Sequence, residues 1–320
     1  RNRYRYVRHN LNVKSIIMKF LTFLVILFSS NLLFSQQIAD TTYNPEIKNP
    51  AYGLGKGPVV FIDEGHNNFH TKNGRYKAFS NLLERDGYIV KEYKSEFNEK
   101  ELAKGKIIVI SNALNEINVE NWFLPTPSAF TESEIREIEQ WVYKGGSLFL
   151  IADHMPMAGA AEDLAKVFGF EFTNGFVFDT LSKGPAFFNI EEKTLIESSI
   201  TKGRDPAESV GQIATFTGQG FKIPDDAIPI LTFNKNYVNM LPDTAWVFDN
   251  NTTKFSVEGW SQGAYKKFGK GRIVVFGEAA MFTAQLAGPK KIKAGMNNEV
   301  APENYQLLLN IIHWLDGKFE

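Results

Sequence analysis

The feature that most constrains this chain is an alternation of apolar runs and amphipathic segments between residues 58 and 173. The runs PVVFID, KIIVIS and SLFLIA are almost wholly apolar, and helical patterns such as RYKAFSNLLERDG lie between them. Strands that are apolar without a two-residue period are typical of sheets buried on both faces. Their alternation with helices predicts an α/β fold with a doubly wound, mainly parallel sheet and helices on both faces.

Two later segments show clear helix signals. In TESEIREIEQWVYKGG, Thr131 and Glu134 form a predicted capping box, and Gly145 ends the predicted helix. The closing segment PENYQLLLNIIHWLDG has an apolar stripe at helical spacing. Both helices are expected to cover the sheet.

Residues 174–258 follow a different pattern, with short runs of Phe, Thr, Gly and Pro. This pattern predicts a β-rich insertion within a single domain that spans residues 58–317, because the α/β pattern resumes afterwards. In this segment the glycines of TFTGQGF allow either a close backbone approach to a ligand or a β-turn. The passage SQGAYKKFGKGRIVVF predicts a hairpin with its turn at GKG.

The first 35 residues are predicted to be a leader rather than part of the fold. Six basic residues and no acidic residue accompany the short apolar run FLTFLVILF. This arrangement is typical of a secretory signal peptide, with Met18 as the expected start and residues 1–17 as an upstream over-read. A membrane span needs about 20 apolar residues, so we expect no stable span once the leader is removed. A retained N-terminal anchor is the alternative.

The leader predicts export to the periplasm or the extracellular space, and residues 36–57 are predicted to be a linker rich in polar residues, Pro and Gly. Beyond the leader, acidic residues outnumber basic ones. Nucleic acid requires concentrated positive charge, so we expect a small molecule or a glycan as the partner instead. The oligomeric state has no sequence signal.

Three passages carry a resemblance to a known group of proteins: TESEIREIEQWVYKGGSLFLIADH, GKGRIVVFGEAAMF and NYQLLLNIIHWL. Here the chain resembles class I glutamine-amidotransferase-like (flavodoxin-like) α/β domains, in particular bacterial DUF4350-type secreted proteins and, more distantly, ThuA-like domains. The resemblance covers residues 59–315 and implies the same fold. It implies no amidotransferase activity, because enzymes of that group use a cysteine and this chain has none.

Candidate site residues lie in three loops that leave predicted strand ends, where open parallel sheets bind ligands. These loops are FIDEGHNNFHT, ADHMPMAG and GEAAMF, and they supply Asp63, Glu64, His66, Asp153, His154 and Glu278. If the three strands run in the same direction, all six side chains converge on one edge. Of the other histidines, His70 is expected on a surface loop, and His313 is expected to be a satisfied, partly buried residue of the last helix.

These residue types are compatible with two kinds of chemistry. Asp63, His66 and Asp153 are candidate metal ligands, together with His154 as a second imidazole in a hydrolytic zinc arrangement. A carboxylate-rich version suits Mg²⁺, Ca²⁺ or Mn²⁺ instead. The spacing is not that of a known metal motif.

Glu64, His154 and Glu278 are the candidate catalytic residues. Beside a metal, Glu64 or Glu278 would be the general base. Without a metal, His154 would be the base and Glu64 or Glu278 the acid. The leading hypothesis is a hydrolase of a small extracytoplasmic substrate such as a sugar derivative. The alternative is a non-catalytic domain that binds a ligand or partner and lacks the cysteine nucleophile.

Overall fold

The computed structural model describes residues 37–320, which contain fifteen β-strands and six α-helices. The strands are β1 Gln37–Ala39, β2 Val59–Asp63, β3 Ile89–Tyr93, β4 Ile107–Ser111, β5 Ser147–Ile151, β6 Phe176–Asp179, β7 Ala186–Asn189, β8 Gln212–Thr215, β9 Ile228–Thr232, β10 Tyr237–Leu241, β11 Thr253–Ser256, β12 Ser261–Phe268, β13 Gly271–Phe276, β14 Ala284–Ala287 and β15 Ile292–Gly295. The helices are α1 Lys77–Arg85, α2 Glu99–Leu102, α3 Glu132–Lys144, α4 Met157–Val167, α5 Ser199–Lys202 and α6 Asn304–Asp316. Short 3₁₀ turns span Glu116–Asn118, Pro206–Glu208 and Ala280–Phe282.

The centre of the fold is a seven-stranded sheet with the strand order β3-β2-β4-β5-β13-β12-β9. The strands from β3 to β13 run parallel, and β12 and β9 continue the sheet in antiparallel pairs. The chain passes from β2 outwards to β3 and then returns past β2 to β4, so the winding direction reverses there. The predicted α/β fold with a mainly parallel, doubly wound sheet is confirmed.

Each face of the sheet carries its own core because successive strand residues point to opposite faces. In β5, Phe149 packs in the core that also holds side chains of α1 and α6. Its neighbours Leu148 and Leu150 pack in the core that holds side chains of α3 and α4. Burial on both faces explains why these strands lack a polar–apolar alternation.

The start of α3 shows how local sequence fixes a helix over the sheet. The Thr131 side chain accepts the Glu134 backbone N–H, and the Glu134 carboxylate accepts the Thr131 backbone N–H at 2.9 Å. Gly145 ends the helix at a φ of 124°, a conformation that favours glycine. Both signals were predicted, and both are confirmed.

The β-rich insertion is present, but one of its strands belongs to the central sheet. Strands β6, β10 and β11 form a separate antiparallel sheet, and β7 pairs with β8. Strand β9 pairs with β12 and is one of the two outer strands of the central sheet. The insertion therefore completes the main sheet as well as adding small sheets to it.

The predicted leader lies outside the described residues, whereas most of the predicted linker is described. Strand β1 pairs with β14, and Asp40 accepts a hydrogen bond from the buried Asn297 amide at 3.0 Å. Tyr43 and Tyr52 pack against the core beneath α1 and α6. Over its described part, the segment expected to be a linker is thus attached to the domain. Among residues 37–320, none of the helices has the length and apolarity to cross a membrane.

Because the sheet is buried on both faces, replacing a buried leucine should destabilise the fold far more than replacing an exposed leucine. Leu148 is 0% exposed and Leu181 is 77% exposed. Leu148→Ala is expected to lower the free energy of unfolding by about 2–5 kcal/mol, because it leaves a cavity in close-packed surroundings. Leu181→Ala removes the same atoms and should change it by no more than about 0.5 kcal/mol. Denaturant titration measures both, and equal effects would contradict this core.

Candidate functional site

The carboxyl ends of β2, β4, β5 and β13 meet at one edge of the sheet because these strands run parallel. In the register of β5 and β13, Ile151 pairs with Phe276. Asp153 and Glu278, each two residues further on, therefore leave neighbouring strands side by side. Neighbouring strands are about 5 Å apart, so the backbone itself brings these two carboxyl groups together.

His66 lies at the same edge in a closed network of hydrogen bonds. Its Nδ1 bonds to Asp63 Oδ1 at 2.9 Å, and its Nε2 bonds to Glu134 Oε1 at 2.9 Å. The rings of Phe97 and Phe130 lie 4.4 and 4.8 Å from the imidazole ring. The network thus joins the loop after β2 to the first turn of α3, inside an apolar enclosure.

The charges of this network favour a protonated His66. Burial alone lowers the pKa of His66, but the hydrogen bonds and negative charges of Asp63 and Glu134 outweigh it and raise the pKa above its ordinary value. Since carboxylate oxygens accept, both ring nitrogens are placed to donate. The arrangement is that of an imidazolium clamped between two carboxylates.

The predicted metal ligands Asp63, His66 and Asp153 do not form a metal site, which corrects the expectation of a divalent ion held by them. His66 has no free ring nitrogen, and Asp63 Oδ2 also accepts the Asn68 amide at 2.9 Å. Strand β4 lies between β2 and β5, so Asp63 and Asp153 stand on strands about 10 Å apart. Among residues 37–320, no group of three His, Cys, Asp or Glu side chains could hold a metal ion.

Glu64 is held by its own surroundings. Its Oε1 accepts the Lys72 backbone N–H at 2.8 Å, and Lys94 Nζ lies 3.7 Å from Oε2. Neither contact involves His154 or Glu278. The structure therefore does not bring Glu64 together with the other two candidate catalytic residues.

Glu278 is fully enclosed and only half satisfied. Its Oε2 accepts the Met281 backbone N–H at 2.8 Å, while Oε1 has no hydrogen-bond partner among the described residues. The buried Tyr76 hydroxyl lies 3.4 Å from the carbonyl oxygen of Ala279, the residue after Glu278. Ser111 Oγ donates to the Tyr76 hydroxyl at 3.0 Å. A buried polar oxygen without a hydrogen-bond partner is unfavourable by about 1–3 kcal/mol, which marks this carboxyl group as a candidate for function.

The electrostatics of Glu278 favour its protonated form. Burial raises the pKa of Glu278 well above its ordinary value, the negative charge of Asp153 raises it further, and backbone hydrogen bonds oppose both effects. Asp153 is 8% exposed and Glu278 is 0% exposed. The pair therefore combines an enclosed carboxyl group that retains its proton with a neighbouring group that reaches solvent.

His154, which follows Asp153, is a neutral base candidate. Its Nδ1 lies 2.7 Å from the Met155 carbonyl oxygen, which can only accept, so Nδ1 carries the proton and Nε2 carries the lone pair. Burial lowers the pKa of His154, and the charge of Asp153 offsets this only in part. Nε2 forms no hydrogen bond with the described residues.

Aromatic side chains surround this imidazole ring. Phe176 stacks on it at 4.2 Å, and Trp246 meets it edge-on at 4.7 Å. Trp122 lies 6.2 Å away on the loop between β4 and α3. Residues of the β-rich insertion thus form part of the wall around His154.

The remaining described histidines have structural surroundings. His70 was expected on the surface, but it is buried against the Tyr76 ring at 4.7 Å, and burial together with Arg75 lowers its pKa to about 3. His313 Nε2 bonds to Asp86 Oδ2 at 2.6 Å. His313 is 1% exposed and its Nδ1 has no hydrogen-bond partner among the described residues, so the expectation of a satisfied, partly buried histidine is met at Nε2 alone. The expectation for His70 is wrong because its ring is buried against Tyr76.

Some residues at this edge had no functional signal in the sequence. Glu134 was identified only as a capping residue, and Tyr76 only as part of the helical pattern RYKAFSNLLERDG. Gln219 donates to the Ala152 carbonyl oxygen at 2.9 Å, and its own Oε1 lacks a partner among the described residues. Gly218, in the TFTGQGF passage, has a φ of 123°, and a Cβ there would lie 3.0 Å from Glu278 Cβ. The nearest atom to such a Cβ would be the Gly277 carbonyl oxygen, so Gly218 allows a close backbone approach to the end of β13.

No protein-family model matches the chain, and no curated protein matches it. Solved structures match its fold. The N-terminal domain of mmIFT52 is similar with a TM-score of 0.55 and 14% identity, covering 80% of this chain and 97% of that one. Its low identity establishes similarity of fold alone.

Two further similarities concern the resemblance to amidotransferase-like domains. A protein proposed to be ThuA-like, from Bacteroides uniformis, has a TM-score of 0.44 and 12% identity over 82% of this chain and 94% of its own. A protein proposed to be part of a GMP synthase, from Thermoplasma acidophilum, has a TM-score of 0.42 and 12% identity over 81% of this chain and 94% of its own. One protein described as ThuA-like and one described as part of a GMP synthase are thus among the similar structures, and the likeness to DUF4350-type proteins stays a prediction.

The clamp around His66 predicts a pH-dependent contribution to stability. Because the pKa of His66 is raised on folding, its contribution is fully present below the ordinary histidine pKa of about 6.5. It is lost as the pH rises through the higher folded-state pKa. The difference in free energy of unfolding between wild type and His66→Asn should therefore shrink with increasing pH. Denaturant titrations across this range measure it.

His154 provides a control of opposite sign, because its pKa is lowered on folding. Its neutral burial destabilises the fold at pH values below about 6.5. Relative to His154→Asn, wild type should lose stability as the pH falls. If both variants showed the same direction of pH dependence, the two assigned environments would be wrong.

Proposed function

We propose that this chain is an exported hydrolase of a small substrate, such as a sugar derivative, with its reaction centre at the carboxyl edge of the sheet. In this proposal His154 is the general base and Glu278 is the general acid. Burial, reinforced by the negative charge of Asp153, keeps Glu278 protonated. The observation that carries the proposal is the Asp153–Glu278 pair, placed side by side by the register of β5 and β13.

The proposed reaction assigns each proton to a named atom. Nε2 of His154 takes a proton from a water molecule, and the hydroxide oxygen forms a bond to the electrophilic carbon of the substrate. The bond between that carbon and the leaving group breaks, and Glu278 gives its proton to the leaving group. Two groups with pKa values displaced in opposite senses, one down and one up, suit this division of roles.

The burial of Glu278 affects the order in which a substrate contacts the proposed catalytic residues. Glu278 is enclosed, and hydrogen bonds of catalytic groups commonly tighten only when the substrate is bound. His154 and Asp153 are therefore the groups that a substrate meets first. Contact with Glu278 would require a small displacement of the residues that cover it. The predicted metal has no part in this mechanism.

The enclosure of Glu278 also favours the second candidate function, a non-catalytic ligand-binding domain. In that case the carboxyl pair would only shape the binding site. Substitutions of Asp153 or Glu278 would then change ligand affinity, and no reaction rate could be measured. The two candidates differ in whether any bond is broken. Turnover by the wild-type protein decides between them.

The test uses a panel of 4-nitrophenyl glycosides and 4-nitrophenyl esters with the purified protein. Glu278→Gln and His154→Asn are expected to reduce kcat by about 10²–10⁴-fold, the usual contribution of a general acid or base. Glu137→Gln, which changes a carboxyl group at the opposite edge of the sheet, serves as the matched control. No turnover by wild type on any member of the panel would contradict the enzymatic proposal for these substrate classes.

Asp153→Asn tests the pairing itself. It removes the charge that raises the pKa of Glu278, so the alkaline limb of the kcat profile should move to lower pH. Glu278→Gln should abolish that limb. If Asp153→Asn lowered kcat without moving the limb, the assignment of Glu278 as the acid controlled by Asp153 would be wrong.

A further inference from the structure

A pocket of about 250 Å³ lies within the β-rich insertion, beside the candidate site. Its walls include the aromatic side chains of Phe178, Phe233, Tyr237 and Trp246. Trp246 is the wall shared with the candidate site, because its ring also contacts the His154 ring at 4.7 Å. Drug-sized ligands occupy pockets of about 300–1,000 Å³, so this pocket has room for a single ring.

The polar side chain that marks this pocket as a binding site is Gln262 in β12. Gln262 lines the pocket and is 2% exposed. Its Nε2 donates to the Thr217 carbonyl oxygen at 3.1 Å, which fixes the orientation of the amide, and its Oε1 has no partner among the described residues. Oε1 is sealed from solvent, so a donor on a ligand reaches it only when the amide shifts slightly into the pocket, and it would then recover the free energy lost at this buried acceptor.

The other polar groups of the pocket suit a neutral ligand with hydroxyl groups. The carboxylate of Asp179 and the ammonium of Lys183 both line the pocket, so it has no excess of either charge. Burial raises the pKa of Tyr237 to about 12, so its hydroxyl remains neutral at ordinary pH. A purely apolar ring would leave Gln262 Oε1 without a donor.

We infer that this pocket binds a single hydroxylated ring, whose face packs against the aromatic walls and whose hydroxyl donates to Gln262 Oε1. Sugars and phenols share this chemistry. The ring would be the part of the substrate that is recognised beside His154, and this part of the inference rests on the proposed function. The binding itself does not.

The experiment measures Kd for four molecules by NMR, from the indole N–H signal of Trp246. Methyl β-glucoside and 4-methylphenol represent the two sources of a hydroxylated ring, and toluene and anisole are rings that lack the donor. At least one of the first pair is expected to bind about tenfold more tightly than both rings without a donor, which corresponds to about 1.4 kcal/mol. Whichever of methyl β-glucoside and 4-methylphenol binds more tightly shows whether the ring comes from a sugar or from a phenol.

Two glutamine variants separate the pocket from general effects on the fold. Gln262→Met removes the acceptor and should weaken binding about tenfold. Gln219→Met is the matched control, because Gln219 is also buried, donates to a backbone carbonyl and has an Oε1 without a partner among the described residues, yet does not line the pocket. Its binding of the ring should equal that of wild type.

Several results would overturn the inference: no binding of either hydroxylated ring, equal binding of toluene, or equal weakening by the two glutamine variants. The comparison of rings in wild type stands even if Gln262→Met does not fold. If ring binding is weakened by Gln262→Met but wild type hydrolyses no nitrophenyl substrate, the result would count against the proposed function alone. Hydrolysis without ring binding would count against this inference alone.

Discussion

The parallel pairing of β5 with β13 is the constraint on which the rest of the site depends. Its register ends with the pair Ile151–Phe276, so Asp153 and Glu278, each two residues further on, start from neighbouring strand ends about 5 Å apart. One of two carboxyl groups at such a distance is driven to keep its proton, and the more deeply buried one is favoured to do so. Burial and the neighbouring strand end thus both raise the pKa of Glu278.

The edge of the sheet holds two arrangements of imidazole and carboxylate with opposite character. Around His66 every strong donor and acceptor of the ring is used, and the result is a clamp between a strand loop and a helix. Around His154 and Glu278, Nε2 and Oε1 remain without partners among the described residues. Residue type does not distinguish the two arrangements. What distinguishes them is the presence of polar atoms without hydrogen-bond partners. These atoms lie beside the aromatic residues of the insertion.

The sequence predicted the central sheet well because strands buried on both faces leave a continuous apolar pattern, and the capping box of α3 is a local signal. It also predicted that the three loops meet at one edge. It could not show that Glu134, distant along the chain, saturates His66, nor that the loop after His66 buries His70. Both depend on tertiary contacts between distant segments. For the same reason the sequence could not show that residues 228–232 join the central sheet. Their short apolar run is compatible with a strand in either a small sheet or the central one.

The position of β9 has a consequence for any attempt to shorten this protein. It covers the open side of β12, an eight-residue strand. A minimal version without the insertion would leave the N–H and C=O groups on that side of β12 unpaired, and long uncovered edges recruit strands from other molecules. The insertion therefore also covers an edge that would otherwise be open to such pairing, and a shortened chain would need a proline or a further charge on β12 to prevent it.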